Sequence, residues 1–561
     1  MCGINGCTFG DQATIDRMNE AIGHRGPDDR GSAVDAEIAL GHLRLAILDL
    51  SPRGHQPMAS PSGRYLMVYN GEIYNFRAVR GRLEQAGETF VSDSDTEVVL
   101  HAFERDGVGC LAEFNGIFAF GLHDRVAHRL YLVRDRLGIK PLYYLQQDGR
   151  LLFSSELKPF EQLAGTTLTV DDAAVADYLA GQDIVRESFY REVVAVPPGS
   201  VVEVDLATGA LTTTPYVRLT DAIHPDRYRR MAVASEATLV QELDTLLNDV
   251  VRDQLVSDAP IGTICSGGID SSLVTAIARQ YHPDLQVYNV RVGDSRCDES
   301  PHAVAVAKHL GLTLHQVTLD RESYLRHYRA CVVAEDLPLM HPNSVGIFLL
   351  SEQARSQGLS VLLSGEGADE LFGGYHRYKA YKKRMVVESI PFAKAVLGAS
   401  HDLFTQEDVR RFDWSRGVGA DAPPWLRHRF EGTKAFLDAY AFIPSAQERE
   451  LKAFIAKDLV DYLPSILRRT DRMSMAVGLE MRVPYLDDRL IEFGLNLPTR
   501  HQLSFRDVKR LLKAVARRYL PTSIVDRPKM GFPLPIQAWL GTDAIRATYL
   551  EAWTSTRAPR G

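Results

Sequence analysis

From residue 2 to about 210, apolar positions come in short runs separated by turn-forming and charged residues, the pattern of strands with few long helices. "YLMVYNGEIYN" (Tyr65–Asn75) reads as a strand running into an Asn-Gly turn, the strongest short hairpin signal. "GIFAFGLHD", "RLYLVRD", "KPLYYLQQDG" and "LLFSSE" follow at hairpin spacing, so this part predicts an antiparallel, layered α+β domain. Residues 211–235 are polar and irregular, with "TTTPYVRLTDAIHPDRYRRM" inside them, and read as a linker. Beyond it the period changes. Leu239, Leu243, Leu246, Val250 and Leu255 recur at helical spacing. Strands over Ile261–Cys265, Leu285–Val292 and Thr313–Leu319 then alternate with helices over Ser272–Tyr281 and Pro301–Leu310. Further helix leads to the strand "SVLLS" (Ser360–Ser364). Alternation of this kind predicts a doubly wound parallel sheet, and from about residue 375 the chain reads as mostly helical. The expected domains are 2–210 and 236–550, with 211–235 between them.

Composition leaves that division in place. At 561 residues the chain exceeds a single hydrophobic core, and 45% hydrophobic with 24% charged residues is ordinary for globular proteins. A net charge of −8 argues against nucleic acid or an anionic membrane as partner, while leaving room for a local basic pocket around a small anion. The six cysteines are sparse, with no CxxC pair, so neither a disulfide framework nor a structural zinc is indicated. With no apolar run long enough to span a bilayer and no signal-peptide pattern, a cytoplasmic protein acting on small molecules is expected.

Two strand ends are chemically loaded. Ser266-Gly267-Gly268-Ile269-Asp270-Ser271-Ser272 stands between an apolar strand and an apolar helix. Paired glycines let backbone N–H groups approach an anion, the helix N-terminus adds its dipole, and Asp270 can hold a cation that offsets phosphate charge. A bare SGG would be a capped turn; strand, glycines, Asp, Ser-Ser and helix together point to phosphate. Ser364-Gly365-Glu366-Gly367-Ala368-Asp369-Glu370, after another strand, carries three carboxylates. No GxxxxGK[ST] occurs, so neither loop is of the Walker type.

SGGIDS resembles the pyrophosphate loop of ATP pyrophosphatases, which cleave ATP to AMP and pyrophosphate. Together with SGEGADELFGGY it is similar to the glutamine-hydrolysing asparagine synthetases and their amidotransferase relatives, over nearly the whole chain. The resemblance implies an N-terminal-nucleophile glutaminase domain of layered αββα form, followed by an α/β ATP-pyrophosphatase domain. It implies that Cys2, with its α-amine freed by loss of Met1, attacks the glutamine side-chain amide; such an amine titrates at about 8 in peptides and can serve as base to its own thiol. Arg44 ("GHLRLAILD") then matches the residue binding the glutamine α-carboxylate, Asn70 and Gly71 the oxyanion hole with Glu72 in the same turn, and Asp95 ("SDSDTEV") the α-ammonium site. "HRGPDD" (His24–Asp29) looks like the family's loop near this site.

In the second domain the resemblance implies ATP as co-substrate, with adenosine and pyrophosphate contacts at Ile264, Ser266, Gly267, Gly268, Asp270, Ser271, Val290, Ser364 and Gly365. It further implies Mg²⁺ on Asp270 and Asp369, an active-site carboxylate at Glu366, and a pyrophosphate-side lysine at Lys509, with Arg472 ("RTDRMSM") a candidate of the same kind. The implied reaction adenylates a carboxylate acceptor and converts it to a carboxamide with ammonia delivered through an apolar internal passage. Aspartate is the expected acceptor. A sugar acid or natural-product intermediate is the alternative, because "EDLPLMHPNSVGIFLLS" carries His341-Pro342-Asn343-Ser344 where some asparagine synthetases have an arginine or an acidic–small pair. A homodimer is left open. Phosphoribosyl amidotransferases would lack SGGIDS, and lactam-forming synthetases typically lose the nucleophilic cysteine.

Overall fold

The computed structural model describes residues 2–9, 11–163, 166–182, 186–389 and 422–557, with backbone only over 386–389. Twelve strands build the first part: β1 (Gly3–Cys7), β2 (Asp29–Val34), β3 (Ala39–Arg44), β4 (Met58–Ala59), β5 (Tyr65–Ile73), β6 (Gly116–Asp124), β7 (Arg129–Arg134), β8 (Tyr143–Gln147), β9 (Arg150–Ser154), β10 (Val193–Ala195), β11 (Ser200–Asp205) and β12 (Leu211–Pro215). They form two antiparallel sheets, ordered β10-β8-β9-β1-β3-β2 and β12-β11-β7-β6-β5-β4. Ile4, Leu40 and Phe153 of the first meet Val68, Ala119, Leu132 and Val202 of the second in the core between the sheets. On the outer face of the second sheet, Tyr69 and Phe120 pack against Val79, Leu83, Val99 and Phe103 of the helices Phe76–Gln85 and Asp95–Asp106. Ile15 and Met18 of the helix Gln12–Ala21 cover the first sheet's outer face at Cys7 and Ala39. The layering is therefore αββα, as the alternation of buried faces requires.

Two local expectations fail here. Asn70-Gly71 makes no turn: both residues lie inside β5, opposite Ala119 and Phe118 of β6. A Cβ on Gly71 would come within 2.5 Å of the Ile117 carbonyl oxygen, so the glycine permits close strand approach instead of chain reversal. Residues 211–235 are not irregular either. They contain β12, paired with β11, a short turn at Leu219–Ala222 and the helix Pro225–Val233.

The second part contains a parallel sheet of β13 (Ile261–Ile264), β14 (Gln286–Val292), β15 (Leu314–Leu319), β16 (Val361–Leu363) and β17 (Glu480–Arg482). Its order is β15-β14-β13-β16-β17, so the winding direction reverses between β13 and β16. Ligands of open α/β sheets bind at such a reversal, beyond the carboxyl ends of the strands. The amphipathic helix Glu236–Gln254 buries Leu239, Leu243, Leu247 and Val250, and the described residues after β16 are largely helical. Among the described residues no helix is long and apolar enough to cross a membrane.

Two candidate active sites

Cys2 enters β1 fully packed. Its N–H donates to Asn70 Oδ1 at 2.9 Å, and Arg25 Nε donates to its carbonyl at 3.1 Å. Burial pushes the Cys2 thiol upward, opposed by a Leu45 backbone hydrogen bond and the Arg44 charge. Because its carbonyl oxygen faces Cys2, the Asn70 amide has its Nδ2 left buried with no partner. A buried donor without an acceptor costs about 1–3 kcal/mol unless something fills it. Arg44, at the end of β3, is held by carbonyls of the following loop: Nη1 donates to Ser51 at 2.8 Å, and Nη2 to Asp49 at 2.5 Å and Leu48 at 3.3 Å. None of these bonds neutralises its charge. Asp95 opens the helix Asp95–Asp106 and accepts from Tyr69 Oη at 2.8 Å and Ile73 N at 3.0 Å, which ties it to β5 on both sides of Asn70. Burial raises its carboxyl to about 6.

Glu72 is engaged elsewhere. Arg482 Nη2 of β17 donates to it at 3.2 Å, while Arg482 Nε donates to Glu480 at 2.5 Å. Glu480 adds a repulsive charge felt at Cys2, and Met481, between Glu480 and Arg482 on the strand, lines the cavity at the ends of β13 and β16. Strand alternation thus makes β17 a wall one residue thick between the sites. The wall is charged on the side that faces Cys2. The loop at His24–Asp29 reaches the same boundary: Arg25 Nη1 bonds Glu156 and Asp471, each at 2.9 Å.

The second site is a cavity of about 350 Å³ beyond β13 and β16. Ile264, Ser266, Gly268, Asp270, Ser271, Val290, Ser364, Gly365, Glu366, Asp369 and Lys509 all line it. Gly267 instead turns at φ +78° and gives its carbonyl to Arg527 Nε at 3.1 Å. The helix after the loop begins at Ile269, three residues before its expected start, so Asp270 sits in its first turn. A Cβ on Gly365 would lie 2.6 Å from Ser271 N; only glycine lets the second loop rest against that helix end. Lys509 Nζ bridges Asp270 Oδ2 at 2.5 Å and Asp369 Oδ1 at 2.6 Å, and Lys529 also reaches Asp369. Burial works to raise the Asp369 carboxyl, but Lys509 and Lys529 prevail and hold it at about 2. Burial pushes the Asp270 carboxyl up, and its Oδ1 has no hydrogen-bond partner.

Arg472 does not reach this cavity. It is buried at the boundary between the two parts, paired with Glu156 at 3.0 Å and Asp336 at 3.2 Å. From that helix it is Arg469, one turn earlier on Leu463–Met475, that reaches the site: its Nη2 donates to Glu366 at 2.7 Å and Nη1 to Asn343 at 3.0 Å. Sequence reasoning missed Arg469 and Lys529, which come from segments without a phosphate-loop pattern, and Tyr375, the last residue of SGEGADELFGGY. For Arg469 the one available signal is that it follows Ile466 by one turn and so shares its helix face. His341 bonds Ser465 Oγ at 3.0 Å through Nε2, and burial keeps it neutral. Cys265 is fully buried beside Ser272, as small core.

Comparison with known proteins follows this geometry. The family description "Asparagine synthase" matches residues 242–560, and "Glutamine amidotransferase domain" matches residues 1–217. The chain is 30% identical to asparagine synthetase [glutamine-hydrolyzing] 1 of Bacillus subtilis, covering 96% of this chain and 88% of that one. It is 28% identical to synthetase 3 of the same organism (95% and 87% covered), and 29% identical to amidase chyE of Penicillium rubens (94% and 85%).

Proposed function

This chain belongs to the asparagine synthase family, and from that premise we propose that it transfers the amide nitrogen of glutamine to the side-chain carboxylate of aspartate. ATP is consumed, and asparagine, glutamate, AMP and pyrophosphate are the products. The observation that carries this reading is the pairing of two unlike sites across β17: a buried cysteine whose backbone N–H meets an Asn70 amide with its own donor buried and unpartnered, and a carboxylate–lysine crevice at a sheet reversal.

At the first site, Cys2 Sγ attacks the glutamine amide carbon and its proton passes to the Cys2 α-amine, freed by removal of Met1. Asn70 Nδ2 and the Gly71 N–H take the developing oxyanion, Arg44 takes the α-carboxylate, and Asp95 takes the α-ammonium. The C–N bond breaks, ammonia leaves with the returned proton, and water hydrolyses the thioester to glutamate. Glu72, paired to Arg482, acts by fixing β5 to the second domain.

At the second site, Ser266, Gly268 and Ser271 cradle the phosphates at the helix end, with Gly267 turning the loop between them, while Ile264, Val290, Ser364 and Gly365 take the adenosine. The acceptor carboxylate attacks the α-phosphorus and pyrophosphate departs on the Lys509 side. Ammonia then attacks the acyl carbon and AMP leaves; Glu366, set by Arg469, takes the surplus proton. The unpartnered Asp270 Oδ1 and the adjacent Asp369 are hard oxygen donors of the type that would hold Mg²⁺. Bound there, the ion would offset phosphate charge.

A second reading, amidation of a different carboxylate such as a sugar acid, is favoured by one feature. His341 is turned away to Ser465, so the residues 341–344 offer the acceptor Asn343 beside Arg469 and no further cation. An acceptor screen with ATP, Mg²⁺ and glutamine, read by mass spectrometry for AMP and amide, separates the two. Asparagine supports the first reading. Amide from another acid with none from aspartate replaces it with the second, and ADP in place of AMP overturns both.

A further inference from the structure

The loop that grips Arg44 is held from the second domain. Asp49, in that loop, is 6% exposed and stands in the left-handed region at φ +50°, where a non-glycine residue stays only if its surroundings hold it. Its carbonyl is the one that accepts from Arg44 Nη2 at 2.5 Å. Its carboxylate works on both sides of that bond. Oδ1 accepts at 3.1 Å from the N–H of Ser51, whose carbonyl holds Arg44 Nη1. Oδ2 accepts at 3.1 Å from the N–H of Asp93, two residues before Asp95. One side chain therefore ties the cradle of Arg44 to the segment that delivers Asp95.

The Asp49 N–H is committed across the domain boundary. It donates to Asp258 Oδ2 at 2.9 Å, and the Asp258 N–H donates to the Ile47 carbonyl at 2.9 Å. Asp258 stands between the helix Glu236–Gln254 and β13. Its segment is fixed by the parallel sheet: Arg482 Nη1 donates to the Gln254 and Val256 carbonyls, each at 2.7 Å, and the Pro260 carbonyl accepts from Ser360 N at 3.0 Å. The reciprocal pair thus joins the sheet of one domain to the loop 47–51 of the other. We propose that Asp258 is a positioning residue for glutamine: by holding Asp49 it sets the carbonyls that aim Arg44 at the α-carboxylate, and this rests on Arg44 taking that carboxylate. Without Asp258 Oδ2 the Asp49 N–H loses its acceptor, and the loop must shift to find another. A shift of about 1 Å in a positioning group is enough to spoil a substrate contact. Asp258 itself is exposed, so its substitution leaves no void in a core.

Steady-state glutaminase kinetics of the full chain test this. Asp258→Ala should raise the glutamine KM by about tenfold and leave kcat within about twofold, as loss of a hydrogen bond to a charged group does when only binding is affected. Asp258→Asn, whose carboxamide oxygen still accepts from Asp49 N, should stay near the wild type. Arg44→Ala should raise KM further, and adding Asp258→Ala to it should change nothing more, because both substitutions remove one and the same contact. γ-Aminobutyramide, which is glutamine without its α-carboxylate, should be hydrolysed equally by the wild type and Asp258→Ala. The proposal is overturned if Asp258→Ala keeps the wild-type KM or loses kcat instead, if Asp258→Asn behaves as Asp258→Ala does, or if the two substitutions add. Should Arg44→Ala leave KM unchanged, the α-carboxylate assignment itself fails, and the role of Asp258 with it.

Discussion

The two candidate sites are prepared in opposite ways. Around Cys2 the polar groups are fixed by backbone: Asn70 Nδ2 has no acceptor, and the hydrogen bonds that grip Arg44 all go to carbonyls. Around the nucleotide crevice the charges neutralise one another: Lys509 spans Asp270 and Asp369, and Arg469 spans Glu366 and Asn343. A site on strand interiors can hold its donors in place because the ladder bears the cost. A site made of loops at strand ends instead lets its charges pair until a ligand re-pairs them. The first should therefore respond to substitution mainly in kcat, the second in binding, in ion dependence and in stability.

Cys2→Ala breaks the comparison most severely. Glutamine hydrolysis should fall by more than about a thousandfold, while amide formation from added ammonium persists; loss of both activities in a folded variant would show that the sites are not separable. Lys509→Met should lower pyrophosphate release by about a hundredfold or more, as loss of a preorganised charge does. It should also lower thermal stability, because Asp270 and Asp369 are left buried together, yet leave glutaminase turnover in place. Asn70→Ala removes one oxyanion donor and should reduce glutaminase kcat by about a hundredfold with little change in KM; a KM effect alone would mean that Asn70 only positions glutamine. The smallest effect is one of pH. Asp95, raised to about 6 by burial, is neutral below that pH and charged above it. The glutamine KM should accordingly fall as pH rises through about 6, and Asp95→Asn should flatten that dependence; a wild-type KM that is level from pH 5 to 8 would remove Asp95 from the α-ammonium.

Local pattern was sufficient for four strands of the parallel sheet, which begin and end within a residue of their expected limits, because each apolar run is flanked by glycine or helix signals that act locally; the fifth, β17, lies in a stretch that reads as helical and is a strand only through its pairing with β16. It misled at Asn70-Gly71, where a dipeptide that turns a free hairpin is held straight by pairing along the whole of β6. It also misled over 211–235, where polar residues join the edge of a sheet at β12, whose outer face needs no apolar side chains. Lys509 was legible as a lysine on a helix pattern, but its burial between two aspartates follows from β13 and β16 being neighbours, which no local spacing encodes.

The sequence by itself determined the two-part architecture and the two glycine loops, since each is a contiguous run whose backbone chemistry is set by its own residues. The tertiary structure alone decided which arginine of the helix Leu463–Met475 meets Glu366 and which is spent on Glu156, and that Glu72 is tied to Arg482. Those outcomes depend on which faces of distant elements are brought together. Burial there makes every charge seek a partner, and the partner is chosen by the packing of the whole chain.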